Sequence, residues 1–554
     1  MSDTRSSVLS RRLLLQAGAA GTAPLVVPGC SGSSGSSGVK AGKGAIELPK
    51  HLPAPAVPGE IKAKHAGLPN AYARVPQPLR KAWPNKPGDG GSMSMFTIIW
   101  GPPAPPPEKN PFWQRLNDKL GLELKMIWGP SDSYESKLAT LLASGNLPDV
   151  TALLPNPTSD KALRQGAFAD LSEFLSGDKM KSYPNLSNNT PEQAWKVTLI
   201  DGRVMGVTNP VPAVDTVFPY RGDWAAKIGF TKPPANASEL KEFFTAIPKA
   251  IGTVNGHTPY GIGAFPGPVM GLVNAMFRAG PEWREDGGTL VNRLDTPEYE
   301  AAIAWCREVW AGGGFHPDAL ALDAQEIKAI GMFESGLLGI MKSGLMYPFT
   351  VSSPLYGIRQ KNPGIVPLLP PGHDGGKAAW VKTTGWFSRW GISAKSAKNP
   401  SRVEAILRCL DFLNASFGTE EYMFNRFGIE GRHYNYNAKG EPIPVDDGNL
   451  QSELAGLGQY PHGYYFPGNP NGHKEALAYA ESMMDGAVDD PIASLSSSVA
   501  DRVGGVLEKV TTDYVNQIVT GRRPMSDLAT CRAEWHKRGG DQLKADLEKQ
   551  LSIR

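Results

Sequence analysis

An α/β fold built on a parallel sheet, in a body of more than one domain, is predicted from three observations. Short β-rich apolar runs alternate with segments of helical periodicity at close intervals. Roughly 460 residues follow a leader and a Pro-rich stretch, too many for a single hydrophobic core. Hydrophobic residues make up 41% and charged residues 20%, a composition that excludes a disordered or fibrous chain.

The elements can be read in order. Residues 94–100 (Ser-Met-Phe-Thr-Ile-Ile-Trp) form an apolar run stopped by Gly101-Pro102-Pro103, the pattern of a buried strand entering a loop. Residues 112–120 carry apolar side chains at helical spacing and stop at Gly121, a residue suited to the left-handed position after a helix. Residues 122–128 alternate as a second strand, 134–144 are helical, and 149–154 form a third strand. Strand, helix, strand, helix, strand predicts right-handed parallel crossovers, whose ligands meet the loops at the carboxyl ends of the strands. Further helices are predicted over 235–246, 297–311, 401–415, 473–484, 500–520 and 531–551, and strands over 261–264, 337–341 and 386–393. The Pro- and Gly-dense stretch 354–380 reads as a loop crossing between lobes.

Residues 1–29 read as an export leader and are set apart from the fold. Arg11-Arg12 precede an apolar run that ends at Val27-Pro28-Gly29-Cys30, a twin-Arg leader closing in a lipobox-like tetrad with Cys30 as the lipidated residue. Pro28 is unusual there, and a cleaved secretory leader with an incidental cysteine is the alternative. Residues 31–38 are Ser and Gly only, and prolines recur from 40 to 91, so 30–91 is predicted to be a tether that spaces the body from a membrane or wall. The net charge is +3, falling to about +1 without the leader, so no broad basic field exists to bind nucleic acid. Cys306, Cys409 and Cys531 sit in helix-like apolar contexts and read as small buried core residues, a single disulfide being the other possibility.

A run of ordered motifs resembles one family. Residues 143–150 (Ala-Ser-Gly-Asn-Leu-Pro-Asp-Val) resemble the "ASGDLPD" signature of family 1 extracellular solute-binding proteins, the ligand-capturing subunits of ABC importers. Gly166-Ala167-Phe168-Ala169-Asp170-Leu171, Tyr183-Pro184-Asn185-Leu186 and residues 201–207 follow in the family's order. Residues 221–230, Phe333-Glu334-Ser335-Gly336, residues 428–434 and residues 518–524 continue the likeness to the C-terminus. The resemblance implies a bilobal, type II periplasmic-binding-protein-like fold: two α/β lobes joined by a hinge, with the ligand, especially an oligosaccharide, held in the cleft between them. Lobe 1 is expected to comprise 92–215 and about 345–400, lobe 2 216–344 and about 401–554. The implied partners are the carbohydrate and the transmembrane subunits of a permease, with the lipid anchor as the membrane contact; a monomer at the outer face of the plasma membrane is expected. Some relatives carry an Asp-rich calcium loop before a "PYG" element, but residues 252–261 here lack the carboxylates, so no metal is expected. No cofactor is implied.

A sugar site needs flat aromatics beside a few directional polar groups. The chain holds 13 tryptophans. Trp386 and Phe387, in a run of alternating pattern behind Gly385, are the first candidates, with Tyr347, whose position resembles a turn that reaches ligand in relatives. Trp100, Trp128, Trp224, Trp283 and Tyr434 follow, and Arg221, Asp223 and Arg389 are the polar candidates; each has a competing role in a core or a salt bridge. No HExxH, GxSxG or P-loop motif occurs, and no catalytic residue is assigned. The adjacent pairs Asp446-Asp447 and Asp489-Asp490 read as solvated turn charges. The rival readings are a surface-anchored carbohydrate-active hydrolase, a binder of a peptide or other polar solute, and an adhesion module.

Overall fold

The computed structural model describes residues 46–196, 199–323, 326–445, 447–457, 463–495 and 497–552. The leader, Cys30, the Ser/Gly run and Asp446 lie outside the described residues.

The first sheet opens with β1 (Ser92–Ile99), α1 (Pro111–Leu120) and β2 (Glu123–Pro130). The side chain of Asn110 caps α1 by accepting from Trp113 N, Pro111 starts it, and Gly121 at φ 69° ends it. The apolar stripe Phe112, Trp113, Leu116 and Leu120 is buried against the sheet. There follow α2 (Tyr134–Ser144), β3 (Val150–Leu153), α3 (Pro157–Arg164) and β4 (Val207–Pro210). The second sheet is assembled from β5 (Pro219–Arg221), β6 (Tyr260–Ile262), β7 (Leu338–Ile340) and β8 (Ile365–Pro367), with α4 (Ala237–Ala250), α5 (Gly267–Phe277) and α6 (Pro297–Ala311) on its faces. The chain then returns as β9 (Trp386–Ile392), followed by α7 (Pro400–Leu413), α8 (Gly472–Met484), α9 (Ser498–Val519), α10 (Asp527–Trp535) and α11 (Asp541–Leu551).

The strand orders are β2-β1-β3-β9-β4 and β6-β7-β5-β8. As predicted, β1 is parallel to β2 and β3. β9, however, runs antiparallel between β3 and β4, and β5 runs antiparallel between β7 and β8. Outgoing and returning chain pass between the sheets beside the antiparallel pair Thr216–Val217 and Ser343–Gly344. One core gathers Met93, Met95, Trp113, Val150, Trp390, Ile406 and Leu410 from β1, α1, β3, β9 and α7. The other gathers Phe243, Phe244, Val273, Ile303, Leu507 and Ile518 from α4, α5, α6 and α9. Cys306, Cys409 and Cys531 are free and buried in these cores, where burial pushes their thiols up.

Several sequence expectations are corrected. α7, placed in lobe 2 above, buries Val403, Ile406 and Leu407 in the first core, and β8, placed in lobe 1, lies in the second sheet. The stretch 354–380 holds a helix over Pro354–Lys361 as well as β8, so the crossing occupies only its second half. The helix read over 531–551 breaks at Gly539, φ 122°, where Gly540 lies so close to the Trp535 ring that a Cβ would stand 2.1 Å away.

The Pro-rich stretch departs most from expectation. It is extended, as its prolines require, but residues 46–91 lie on the body rather than spacing it from anything. Ile46, Leu48 and Trp83 pack against the first core, Leu68 and Ala71 join a cluster with α8, and Tyr72 stacks on Phe417 at 4.0 Å. Backbone bonds join Tyr72 N to Tyr464 O (2.9 Å) and Arg80 N to Gly418 O (3.1 Å). The Trp83 indole donates to Asp411 Oδ2 at 2.8 Å, and the same buried carboxylate accepts from Leu186 N and Asn185 Nδ2. Burial pushes Asp411 up to about 7 against the pull of those donors. The prolines concealed how many apolar residues stand between them. Replacing Trp83 by Ala should lower stability by on the order of 2 kcal/mol and open this strap to limited proteolysis before the body, measured by denaturant unfolding and timed digestion.

Candidate functional site

Three strand ends meet at the carboxyl edge of the first sheet. β1 delivers Trp100 there, β4 delivers Asn209, and β9, running the other way, begins there with Trp386 and Phe387. Two residues of β9 oppose one of β4, since Trp386 pairs with Pro210 and Ser388 with Asn209. This bulge sends Phe387 and Trp390 to one cavity and Trp386 and Arg389 to another.

The first cavity, about 680 Å³, is lined by Trp100, Phe387, Asn209, Asn414, Gln451 and Ser452 over a floor of Met95, Leu124 and Leu410. Trp100 is 47% exposed, rare for so large an apolar side chain, and its ring lies 5.5 Å from Phe387 at 51°. None of the described lining residues is charged. One wall is residues 448–457, held by Gly456, whose φ of +69° and close fit to Trp128 leave no room for a Cβ, which would stand 2.3 Å from the ring.

The second cavity, about 730 Å³, lies between elements of both sheets. Asn156, Asp160, Thr384, Trp386 and Arg389 come from the first; Asn274, Trp283, Asn292 and Tyr299 come from the second, with Asp501, Gly504 and Leu507 of α9. Arg389 is 2% exposed, stacks over Trp386 at 4.5 Å and donates from Nη2 to Asp160 Oδ1 at 3.2 Å. Its Nε and Nη1 have no hydrogen-bond partner among the described residues, nor have Asn274 Oδ1 and Asn292 Nδ2. Desolvation lowers the pKa of Arg389 and raises that of Asp160. Beside them Arg164 of α3 donates to Asp501 of α9 at 2.5 Å, joining elements of the two lobes.

Of the expected ligand residues, Trp386, Phe387, Trp100, Arg389 and Trp283 line these cavities, and six do not. Trp128 stands behind the Gly456 wall, edge-on to Trp113. Tyr347 donates to Glu334 at 2.8 Å and packs in a separate apolar cluster. Trp224 is buried in the second core with Arg221 stacked on it at 4.1 Å, and Arg221 forks onto Asp223 at 2.8 and 2.6 Å. Tyr434 is buried against Phe427 and Tyr436. Sequence reasoning missed Asn209, Asp160, Asn274 and Gln451; only Asn156-Pro157, an amide and a proline in the short loop after β3, carried a readable signal.

Residues 252–261 close in a tight turn, Val254 and His257 exchanging backbone bonds of 2.8 and 3.0 Å around Asn255 and Gly256 at positive φ. Among the described residues no cluster of three His, Cys, Asp or Glu side chains is placed to hold a metal. His433 is buried; its Nδ1 accepts from Ile429 N at 2.9 Å, which makes it neutral, with Nε2 donating to Glu453 at 3.0 Å.

A two-lobed α/β body with a cleft flanked by aromatics and unpaired amides defines a solute-binding protein. Residues 113–410, over half of the chain, match the profile of the bacterial extracellular solute-binding protein family, and the chain belongs to it. It is 23% identical over 464 residues to the lipoprotein LipO of Bacillus subtilis (strain 168), covering 81% of this chain and 90% of that one. It is also 23% identical over 457 residues to the polygalacturonan/rhamnogalacturonan-binding protein YtcQ of the same organism, covering 80% and 88%. Among solved structures, the alginate-binding protein AlgQ2 superposes with TM-score 0.61 at 16% identity, covering 85% of this chain and 100% of that one. The N-glycan transport solute-binding protein NgtS of Streptococcus pneumoniae superposes with TM-score 0.61 at 16% identity, covering 84% and 98%. These likenesses fix the bilobal fold.

Replacing Gly456 by Ala should cost about 1–3 kcal/mol and displace the 448–457 wall, read by thermal unfolding. For His433, burial lowers the folded pKa, so its contribution is present above the ordinary histidine value and is lost as the pH falls below it. Stability should therefore drop between about pH 7 and pH 5.5, and His433→Gln should flatten that slope, measured by denaturant titration at each pH.

Proposed function

We propose that the protein is the lipid-anchored binding subunit of an ABC importer and captures an oligosaccharide, without altering it, in the cleft between its lobes. The carrying observation is the exposed Trp100 set against Phe387 at the carboxyl edge of the first sheet, with Asn209, Asn414 and Gln451 around them. Sugar rings offer apolar faces to such aromatics and hydroxyls to such amides. Trp386, the residue before Phe387, gives a second aromatic in the other cavity. The names of YtcQ and NgtS, a polysaccharide binder and a glycan-transport protein, support the same class of ligand.

Capture rather than hydrolysis is favoured by how the nearby carboxylates are held. A glycosidase needs two carboxyl groups facing each other across the bond, roughly 5–9 Å apart. Of the five carboxylates lining the second cavity, Asp160 is held by Arg389 and Asp501 by Arg164, and Asp490 caps the backbone of Ile492, which leaves Glu282 and Glu508 outside these contacts. Cys30 would carry the lipid at the outer face of the plasma membrane, keeping a monomeric receptor within reach of the permease that reads its closed, ligand-bound form.

A thermal-shift screen of the chain against mono- and oligosaccharides, with product analysis alongside, tests this. A rise in melting temperature with intact ligand supports it; released products or a response only to non-carbohydrate solutes would overturn it. Trp100→Ala and Trp386→Ala should each weaken binding about tenfold or more, and unchanged affinity would remove that residue from the site.

A further inference from the structure

We infer that the cleft is built for a neutral oligosaccharide and disfavours uronic-acid chains, an inference that rests on the carbohydrate reading above. Its ground is the charge and hydrogen-bonding state of the two cavities, not the ligands of relatives, two of which are named for acidic polysaccharides.

The first cavity presents aromatics and amides, and no described lining residue is charged, so nothing there compensates a ligand carboxylate for its lost hydration. The second is lined by five carboxylates against two guanidiniums, Arg293 and Arg389, and even with Asp501 offset by Arg164 the excess is negative, which disfavours an anion. Arg389 is buried with its guanidinium over Trp386, and part of its hydrogen-bonding capacity is already taken. Carboxylates prefer a fork of two N–H groups. Nη2 belongs to both forks of the guanidinium, and one of its two N–H groups donates to Asp160 Oδ1 at 3.2 Å. A ligand carboxylate on the remaining fork would share Nη2 with Asp160 and lie beside its negative charge. What remains unpaired among the described residues is Nε and Nη1, on different edges, with Asn274 Oδ1 and Asn292 Nδ2. Separate single donors and acceptors suit hydroxyls, which both donate and accept, and ring oxygens, which accept. Consecutive residues at the start of β9 line one cavity each, Phe387 the first and Trp386 the second, so a ligand several sugars long lying across this strand end would meet both aromatics.

The test is isothermal titration of the full chain with matched tetrasaccharides: cello-, malto- and mannotetraose against tetragalacturonate and tetramannuronate, at low and physiological salt. At least one neutral ligand should bind, and the uronates should bind roughly tenfold more weakly or not at all, the gap narrowing with salt. Asp160→Asn keeps an acceptor for Nη2 but removes the negative charge beside the guanidinium, so it should raise uronate affinity severalfold relative to neutral ligands. Uronates binding as tightly as the best neutral tetrasaccharide would overturn the inference and leave the importer reading standing. An unchanged ratio in folded Asp160→Asn would overturn the role given to the Arg389–Asp160 pair. No heat with either set, in chain that melts cooperatively, would overturn the carbohydrate reading itself.

Discussion

The pairing of β9 between β3 and β4 is the constraint from which the rest of the architecture follows. The first sheet cannot be completed until the chain has left it, built the second sheet and come back, so the two lobes are obligate parts of one fold. The returning strand must run antiparallel to its neighbours, which brings its first residues, rather than its last, to the ligand edge. The bulge there has a further consequence. In a regular strand Trp386 and Arg389, three apart, would point to opposite faces; with Phe387 extruded they share one, and the guanidinium stacks on the indole at 4.5 Å.

A guanidinium 2% exposed is tolerable only because several partial compensations converge on it. Asp160 supplies the opposite charge and Trp386 a polarisable face. The pair Arg164–Asp501 lies one helical turn further along α3 and ties that helix to α9. Removing a single member would leave its partner buried and unpaired, which costs far more than the intact pair contributes. The unfilled valences of Arg389 are thus held in one place by neighbours that do not themselves need ligand.

How much could be read from the sequence depended on element length and on what a motif is for. The segments now seen as β1, α1, β2, α2 and α6 were legible because each runs long enough to display a period, with caps such as Asn110 and Gly121 marking the ends. Strands of three or four residues, β4, β5 and β8, display none, and they are what closes each sheet. The family signature at 143–150 was readable but structural: Asp149 accepts from Ser94 N and Oγ and from Ser396 Oγ, pinning β1, β3 and the approach to α7. The site was only half legible. Aromatic identity marks Trp100 and Trp224 alike; which one faces solvent is settled by strand ends and by Arg221 covering the other.

The strap also bears on the motion that capture requires. Rotation of two lobes must be absorbed by a few residues between them, and the Thr216–Val217 and Ser343–Gly344 pair is such a place. Leu68 and Ala71 of the strap share an apolar cluster with Val214, Val217 and Leu345 there, and Ala213 N donates to Gly67 O at 2.9 Å. The same strap is fastened to the first core through Trp83 and Asp411. In the proposed closure the crossing strands cannot turn without either dragging this segment or sliding beneath it. Apolar contacts permit sliding because they have no direction, whereas the Gly67–Ala213 bond does not. The Pro-rich segment is therefore tied both to the crossing strands and to the first core, a placement its composition, read as a spacer, gave no reason to expect.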